Sequence, residues 1–124
     1  MVLDLKIGVK KDKGIPVINL TGEIDVYTYP QLNEIMEDLI KDGHYNIVIN
    51  LEEVRYIDST GLGVLANSAS KIITHKGQLN IVCTKPQVRK IFVVSGLMHK
   101  NLTLFDNEDS ALSGLKKNTT KVPS

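Results

Sequence analysis

Tyr45-Asn46-Ile47-Val48-Ile49-Asn50-Leu51, followed shortly by Ser59-Thr60-Gly61-Leu62-Gly63, is the stretch that decides the fold. The first run is centred on three β-branched residues, Ile47, Val48 and Ile49, as in a strand buried on both faces. After Ser59 the period changes. Leu62, Leu65, Ala66, Ala69, Ile72 and Ile73 recur at three- and four-residue spacing, an inward helical stripe that Gly77 ends. A buried strand leading into an amphipathic helix is half of a parallel crossover unit.

Outward from that unit, the same reading orders the rest of the chain. Leu3, Leu5, Ile7 and Val9 alternate with Asp4, Lys6, Gly8 and Lys10, the period of a half-buried strand. A charged turn ending at Gly14 leads to a second strand over Ile15 to Leu20, close enough to pair as a hairpin. Pro16 lacks an N–H and belongs at that strand's start or at an edge. Pro30 opens a helix whose stripe is Leu32, Ile35, Met36, Leu39 and Ile40, and Gly43 stops it. Leu79 to Cys83 is the next strand. Thr84 caps a helix to about Val94, with Val88, Ile91 and Phe92 inward and Gly96 at its end. Leu102 to Phe105 forms the last strand, and Asp106 or Asn107 caps a final helix carrying Ala111, Leu112 and Leu115.

The predicted order is β-β-α-β-α-β-α-β-α. It is an α/β single domain with a mixed, mostly parallel sheet, an N-terminal hairpin and about four helices. The domain spans residues 1–116. Residues 117–124 have no apolar period and read as a disordered C-terminal tail.

Composition narrows the class. The chain has 124 residues, 42% of them hydrophobic, with 15 Lys+Arg against 14 Asp+Glu. Such a balance supplies no electrostatic pull toward nucleic acid or an anionic membrane. The longest apolar run, Ile91-Phe92-Val93-Val94, is far short of the ~20 residues that span a bilayer. Asp4 and Lys6 interrupt the apolar N-terminus, so no signal-peptide core is expected there. Cys83 is the lone cysteine and suits a reducing compartment. A soluble, cytoplasmic protein is expected.

Arg55-Tyr56-Ile57-Asp58-Ser59-Thr60-Gly61-Leu62-Gly63 places two hydroxyls where an extended segment turns into a helix. Asp58 or Ser59 can accept from orphan backbone N–H groups there, and the helix start carries a partial positive charge. Gly61 and Gly63 each cost about 1 kcal/mol of helix propensity relative to Ala. That cost makes sense if another backbone or a partner must come close. Two readings stand: a plain cap with glycines for packing, and Ser59 as a phosphoacceptor. An acyl-hydrolase elbow needs Gly where Ile57 stands. A phosphate-cradling loop needs Gly-Lys before Ser or Thr, and no such triplet occurs. Aspartyl phosphorylation of Asp58, as in receiver domains, calls for an acidic pair after the first strand and a lysine after the last. Lys10-Lys11 and Asp106 stand there instead.

The second segment is the acidic and aromatic loop Gly22-Glu23-Ile24-Asp25-Val26-Tyr27-Thr28-Tyr29-Pro30. Sites in parallel sheets gather at the carboxyl ends of strands, so this loop and the Asp58-Ser59 turn can adjoin. A hairpin exit with helix-capping residues is the plainer reading. His44, His75 and His99 are scattered without metal-ligand spacing, and Cys83 reads as a core residue. Lys85, Arg89 and Lys90 form a modest basic patch with no interleaved aromatics, a solvated face. No metal and no cofactor is expected.

At these two segments the chain resembles the bacterial anti-sigma factor antagonists of the STAS-domain family. The resemblance covers Leu3 to Leu115 and rests on Gly22 to Tyr27 with Pro30 and Leu32, and on Asp58 to Gly63. Ile91-Phe92, Ser95-Gly96-Leu97 and Leu104-Phe105 add weaker support. It implies a regulatory protein rather than an enzyme, acting in general-stress or sporulation partner switching. The unphosphorylated antagonist binds an anti-sigma factor that is also a serine kinase, and so frees a sigma factor. The kinase uses ATP to phosphorylate Ser59, and a PP2C-type phosphatase reverses this. Asp25 would lie near the phosphoserine, with Tyr27, Thr28, Asp58, Thr60, Gly61 and Leu62 also at the partner surface. A monomer when free is expected, without direct contact to nucleic acid or membrane. Asn67-Ser68-Ala69-Ser70 and the Lys-rich tail depart from the family pattern. The alternative is a non-switching STAS scaffold or interaction module in a larger sensor or transporter-regulating complex.

Overall fold

Lys13 and Gly14 both take positive φ, 53° and 85°, in a two-residue turn of the kind whose twist suits a hairpin. The turn joins β1 (Leu5–Asp12) to β2 (Ile15–Ile24), which pair antiparallel from Leu5 opposite Gly22 to Asp12 opposite Ile15. The computed structural model describes residues 4–96 and 102–119. Leu3, Leu97, His99 and residues 120–124 of the expected tail therefore lie outside the described residues.

After the hairpin come α1 (Tyr29–Lys41), β3 (Asn46–Ile57), α2 (Ser59–Ile73), β4 (Gln78–Val82), α3 (Pro86–Ser95), β5 (Leu102–Phe105) and α4 (Glu108–Thr119). The strands lie side by side in chain order, and every pairing after the first is parallel. Pro16 faces Lys11 of β1, and the parallel ladder with β3 begins one residue later at Val17. Its missing N–H therefore interrupts nothing on that side.

Two strands run further than their apolar patterns. β2 continues past Leu20 to Ile24, and β3 past Leu51 to Ile57. The reason is irregular pairing. Between Asn19 and Thr21, and again between Gly22 and Glu23, β3 advances one residue more than β2. Each extra residue resets which face a side chain takes. Leu51, Val54 and Ile57 are thus all buried at a spacing of three, which the period-two rule does not recognise. The same region needs Gly22: its φ is +120°, and a Cβ would stand 2.1 Å from the Asp4 carbonyl oxygen.

Helices cover both faces of the sheet. Leu32 and Met36 of α1, Leu65, Ala69 and Ile72 of α2, and Val88 and Phe92 of α3 pack with Ile18, Ile47, Ile49 and Ile81. On the other face Ala111, Leu112 and Leu115 of α4 close over Val17, Val48 and Val82. The stripe of α2 is rotated from the expected one: Val64 and Ser68 are buried, while Ile73 is exposed.

Thr84 is not the cap of α3. Lys85 precedes the helix, and the Thr84 N–H and hydroxyl both donate to the Glu52 carboxylate at 2.6 Å. Asn107, not Asp106, caps α4, accepting from the Ser110 N–H at 2.8 Å. That helix runs to Thr119, so its bounds take in residues 117–119 of the stretch read as tail. Among the described residues no helix is long and apolar enough to cross a membrane.

Candidate functional site

The ends of β2 and β3 lie beside each other, Ile24 opposite Ile57. The next backbone group binds the two exits together, because the Asp58 N–H donates to the Ile24 carbonyl at 3.0 Å. The acidic loop and the serine turn therefore adjoin, as the strand-end rule requires.

Asp58 is the N-cap of α2. Its Oδ1 accepts from the N–H groups of Thr60 at 2.9 Å and Gly61 at 3.2 Å, and the Thr60 hydroxyl donates to the same oxygen. Burial, the largest influence, raises its pKa. The Thr60 hydroxyl and the Gly61 and Thr60 N–H groups outweigh it and hold the carboxyl below its ordinary 3.8. Gly61 makes the tight seat of the first turn. A Cβ there would lie 2.5 Å from Ile24 Cγ2 and 2.8 Å from Ile57 Cγ1.

Ser59 follows as the first helical residue. It is exposed, and among the described residues its hydroxyl has no hydrogen-bond partner. Of the two adjacent hydroxyls, only that of Ser59 is uncommitted.

Asp25 is not the exposed loop carboxylate that its setting suggests. It is 7% exposed, and its Oδ1 accepts from the N–H groups of Tyr27 at 2.9 Å and Thr28 at 3.1 Å. Thr28, 3% exposed, accepts from the Asp25 N–H and donates to the Glu23 carbonyl. The two side chains close the loop on itself and leave Val26 and Tyr27 outside, Tyr27 at 80% exposure. Of the residues expected at a partner surface, Tyr27 is fully outside and Asp58, Thr60 and Leu62 are half-buried. Asp25, Thr28 and Gly61 are buried and shape that surface from beneath.

Ser59 stands on the rim of a groove of about 430 Å³ between the start of α2 and α3, lined by Tyr56, Leu62, Lys90, Ile91 and Val94. A second groove, of about 310 Å³, lies between α1 and α2 with Tyr29, Asn33, Thr60, Gly63 and Asn67 on its walls. The sequence reading missed the α3 wall, although a signal was present. Ile91 to Val94 are consecutive apolar residues, and on one helix they cannot all face inward. Val93 and Val94 turn out, at 64% and 75% exposure.

The basic patch is divided. Arg89, its side chain 39% exposed, donates to the Cys83 carbonyl at 2.7 Å and pairs with Asp106 at 3.4 Å, whereas Lys90 is exposed in the groove. Cys83 is buried, which pushes its thiol pKa up. His75 stacks on Tyr45 with ring centroids 3.9 Å apart. Among the described residues no group of His, Cys, Asp and Glu is placed to hold a metal ion.

Comparison with known proteins bears on the family and the fold. Residues 6–111 match the STAS domain. The anti-sigma-B factor antagonist of Staphylococcus aureus (strain NCTC 8325 / PS 47) is 36% identical over 87 residues, which is 68% of this chain and 81% of that protein. The crystal structure of an anti-sigma factor antagonist from Mycobacterium paratuberculosis superposes with a TM-score of 0.84 at 27% identity, over 91% of this chain and 95% of that one. The phosphorylated form of the Bacillus cell fate determinant SpoIIAA shares the fold, with a TM-score of 0.69 at 23% identity, over 88% and 98% of the two chains.

Two outcomes follow from the cap and the loop. Asp58→Ala should lower stability at neutral pH by about 1–2 kcal/mol. The Asp58 carboxyl titrates below its unfolded value of 3.8, so its contribution is full above that value and fades as pH falls through the folded pKa. Urea midpoints should therefore separate wild type from variant less in acid than at neutrality; an equal gap at both would contradict the assignment. Asp25→Ala should cost about 1–3 kcal/mol by stranding buried donors, whereas Asp25→Asn keeps an acceptor in place and should cost less. Thermal melts in which Asp25→Ala matches wild type would contradict the buried role.

Proposed function

This chain belongs to the STAS-domain family of anti-sigma factor antagonists, and on that premise we propose that Ser59 is the switch by which its binding to an anti-sigma serine kinase is controlled. The unphosphorylated form binds the kinase and releases a sigma factor. In the kinase's active site the bond between the γ-phosphorus and the bridging oxygen of ATP breaks as the Ser59 Oγ–phosphorus bond forms. The hydroxyl proton passes to a base on the kinase, and ADP leaves. A PP2C-type phosphatase returns the serine by hydrolysis, releasing inorganic phosphate. The chain itself is substrate and binding module, not catalyst, and needs no cofactor.

One observation carries this reading. Ser59 presents an exposed, uncommitted hydroxyl on a fixed helix start, while the neighbouring Thr60 hydroxyl is spent on Asp58. A kinase meeting this surface finds one acceptor rather than two. In the groove at its rim Tyr56 and Val94 are exposed apolar side chains, and tyrosine is a residue type that anchors protein partners.

Charge explains the sign of the switch. A phosphoserine adds about −1.5 to −2 charges at pH 7. The Thr60 and Gly61 N–H groups are already taken by Asp58, so the phosphate gains chiefly the helix-start field, about 0.3–1 kcal/mol. It stays at the surface beside the Asp58 carboxylate. Covering that combined charge with a partner costs several kcal/mol, enough to lower affinity ~100-fold or more. The fold has no reason to change, in keeping with the shared fold of a phosphorylated relative.

The same geometry orders the variants. Ser59→Ala should melt with wild type, because the cap is Asp58 rather than Ser59, and should bind the kinase normally yet take up no phosphate. Ser59→Asp should also fold but bind less tightly, since a carboxylate carries about half the phosphate's charge. Phosphoserine should bind weakest. Intact mass after incubation with kinase and ATP, with calorimetric titration of each form, reads this order. Phosphate mapped to Thr60, or an Asp variant tighter than Ala, would overturn it.

A further inference from the structure

The two glycines of the α2 first turns sit in opposite surroundings. Gly61 is demanded by the fold, since its Cβ would strike Ile24 and Ile57. Gly63 is not. It is exposed, its φ is not positive, and a Cβ built on it meets nothing within 4 Å. Alanine would fit there and would favour the helix. The fold thus carries a destabilising residue for which it has no internal use.

Position explains what the fold does not. Gly63 lies four residues after Ser59, so both are on one face of α2, a single turn apart. Both line the groove between α1 and α2, together with Tyr29, Asn33 and Asn67. A side chain at position 63 would stand in that groove, next to the Ser59 hydroxyl. We propose that Gly63 is a clearance residue for the serine kinase, whose chain lies in this groove over the start of α2 while its ATP faces Ser59.

This rests on Ser59 being the phosphoacceptor. Phosphoryl transfer needs the γ-phosphorus about 3–3.5 Å from Oγ, so a kinase that reaches Ser59 across the α1–α2 groove passes over Gly63, one turn away. A second copy of this chain seated there would cover the hydroxyl and bar the kinase. The groove walls are uncharged at Tyr29, Asn33 and Asn67, which suits a backbone segment with its own N–H and C=O groups to satisfy.

The test uses the full chain and the anti-sigma kinase of its own cell, identified by its phosphorylation of wild type. Gly63→Ala should raise the melting temperature by about 3–6 °C and slow phosphorylation at least tenfold, with a matching loss of kinase affinity. Gly63→Leu should lose more, so that the defect follows side-chain size and not stability. Gly8→Ala, on the exposed edge strand β1 where a Cβ also meets nothing, should be phosphorylated like wild type. A Gly63→Ala variant that melts lower, or is bound and phosphorylated at the wild-type rate, overturns the inference alone. If no anti-sigma kinase places phosphate on wild-type Ser59, the reading of Ser59 falls, and this inference with it.

Discussion

The structure turns on how the Asp58 residue is held. Its N–H ties β3 to the Ile24 carbonyl at the end of β2, and its carboxylate accepts the first free donors of α2. One residue thereby fixes the two loop exits against each other and sets the helix axis. Gly61 completes the arrangement by letting the first turn rest on Ile24 and Ile57. Together they fix where Ser59 stands. The proposed switch at Ser59 needs that rigidity, because its neighbours must present the same surface before and after modification.

The acidic residues of the two motifs divide their work in a way that charge alone does not show. Asp25 and Asp58 both serve as backbone caps, one inside its loop and one at a helix start. The side chains outside include apolar ones, Val26 and Tyr27 in the loop and Tyr56, Val93 and Val94 toward α3, with Lys90 exposed beside the latter. A neutral serine amid apolar side chains suits a buried interface. A phosphoserine in the same place does not.

Most of the architecture was legible because strands and helices here alternate with clear periods. Leu32 and Met36, or Ile47 to Ile49, announce their burial directly. The parts that were not legible have long-range causes. The far half of β3 hides behind two pairing irregularities that put Leu51, Val54 and Ile57 on one face at a spacing of three. Thr84 looks like a cap, yet its hydrogen bonds go to Glu52, distant in sequence. Asp25 looks like a loop acid, and only the closure of the loop by Thr28 buries it. The Asp58 to Gly63 turn was legible as a site because its chemistry is local. The α3 wall of its groove depends on how α3 is turned against the sheet.

The central claim is that phosphate on Ser59 changes the surface and leaves the fold alone. Amide hydrogen exchange on the phosphorylated and unphosphorylated chains tests it most directly. The account predicts equal protection along β2, β3 and α2 from Leu62 to Ile73, with kinase binding lost only in the phosphorylated form. Loss of protection along α2 on phosphorylation would contradict it, because the switch would then work by unfolding the helix.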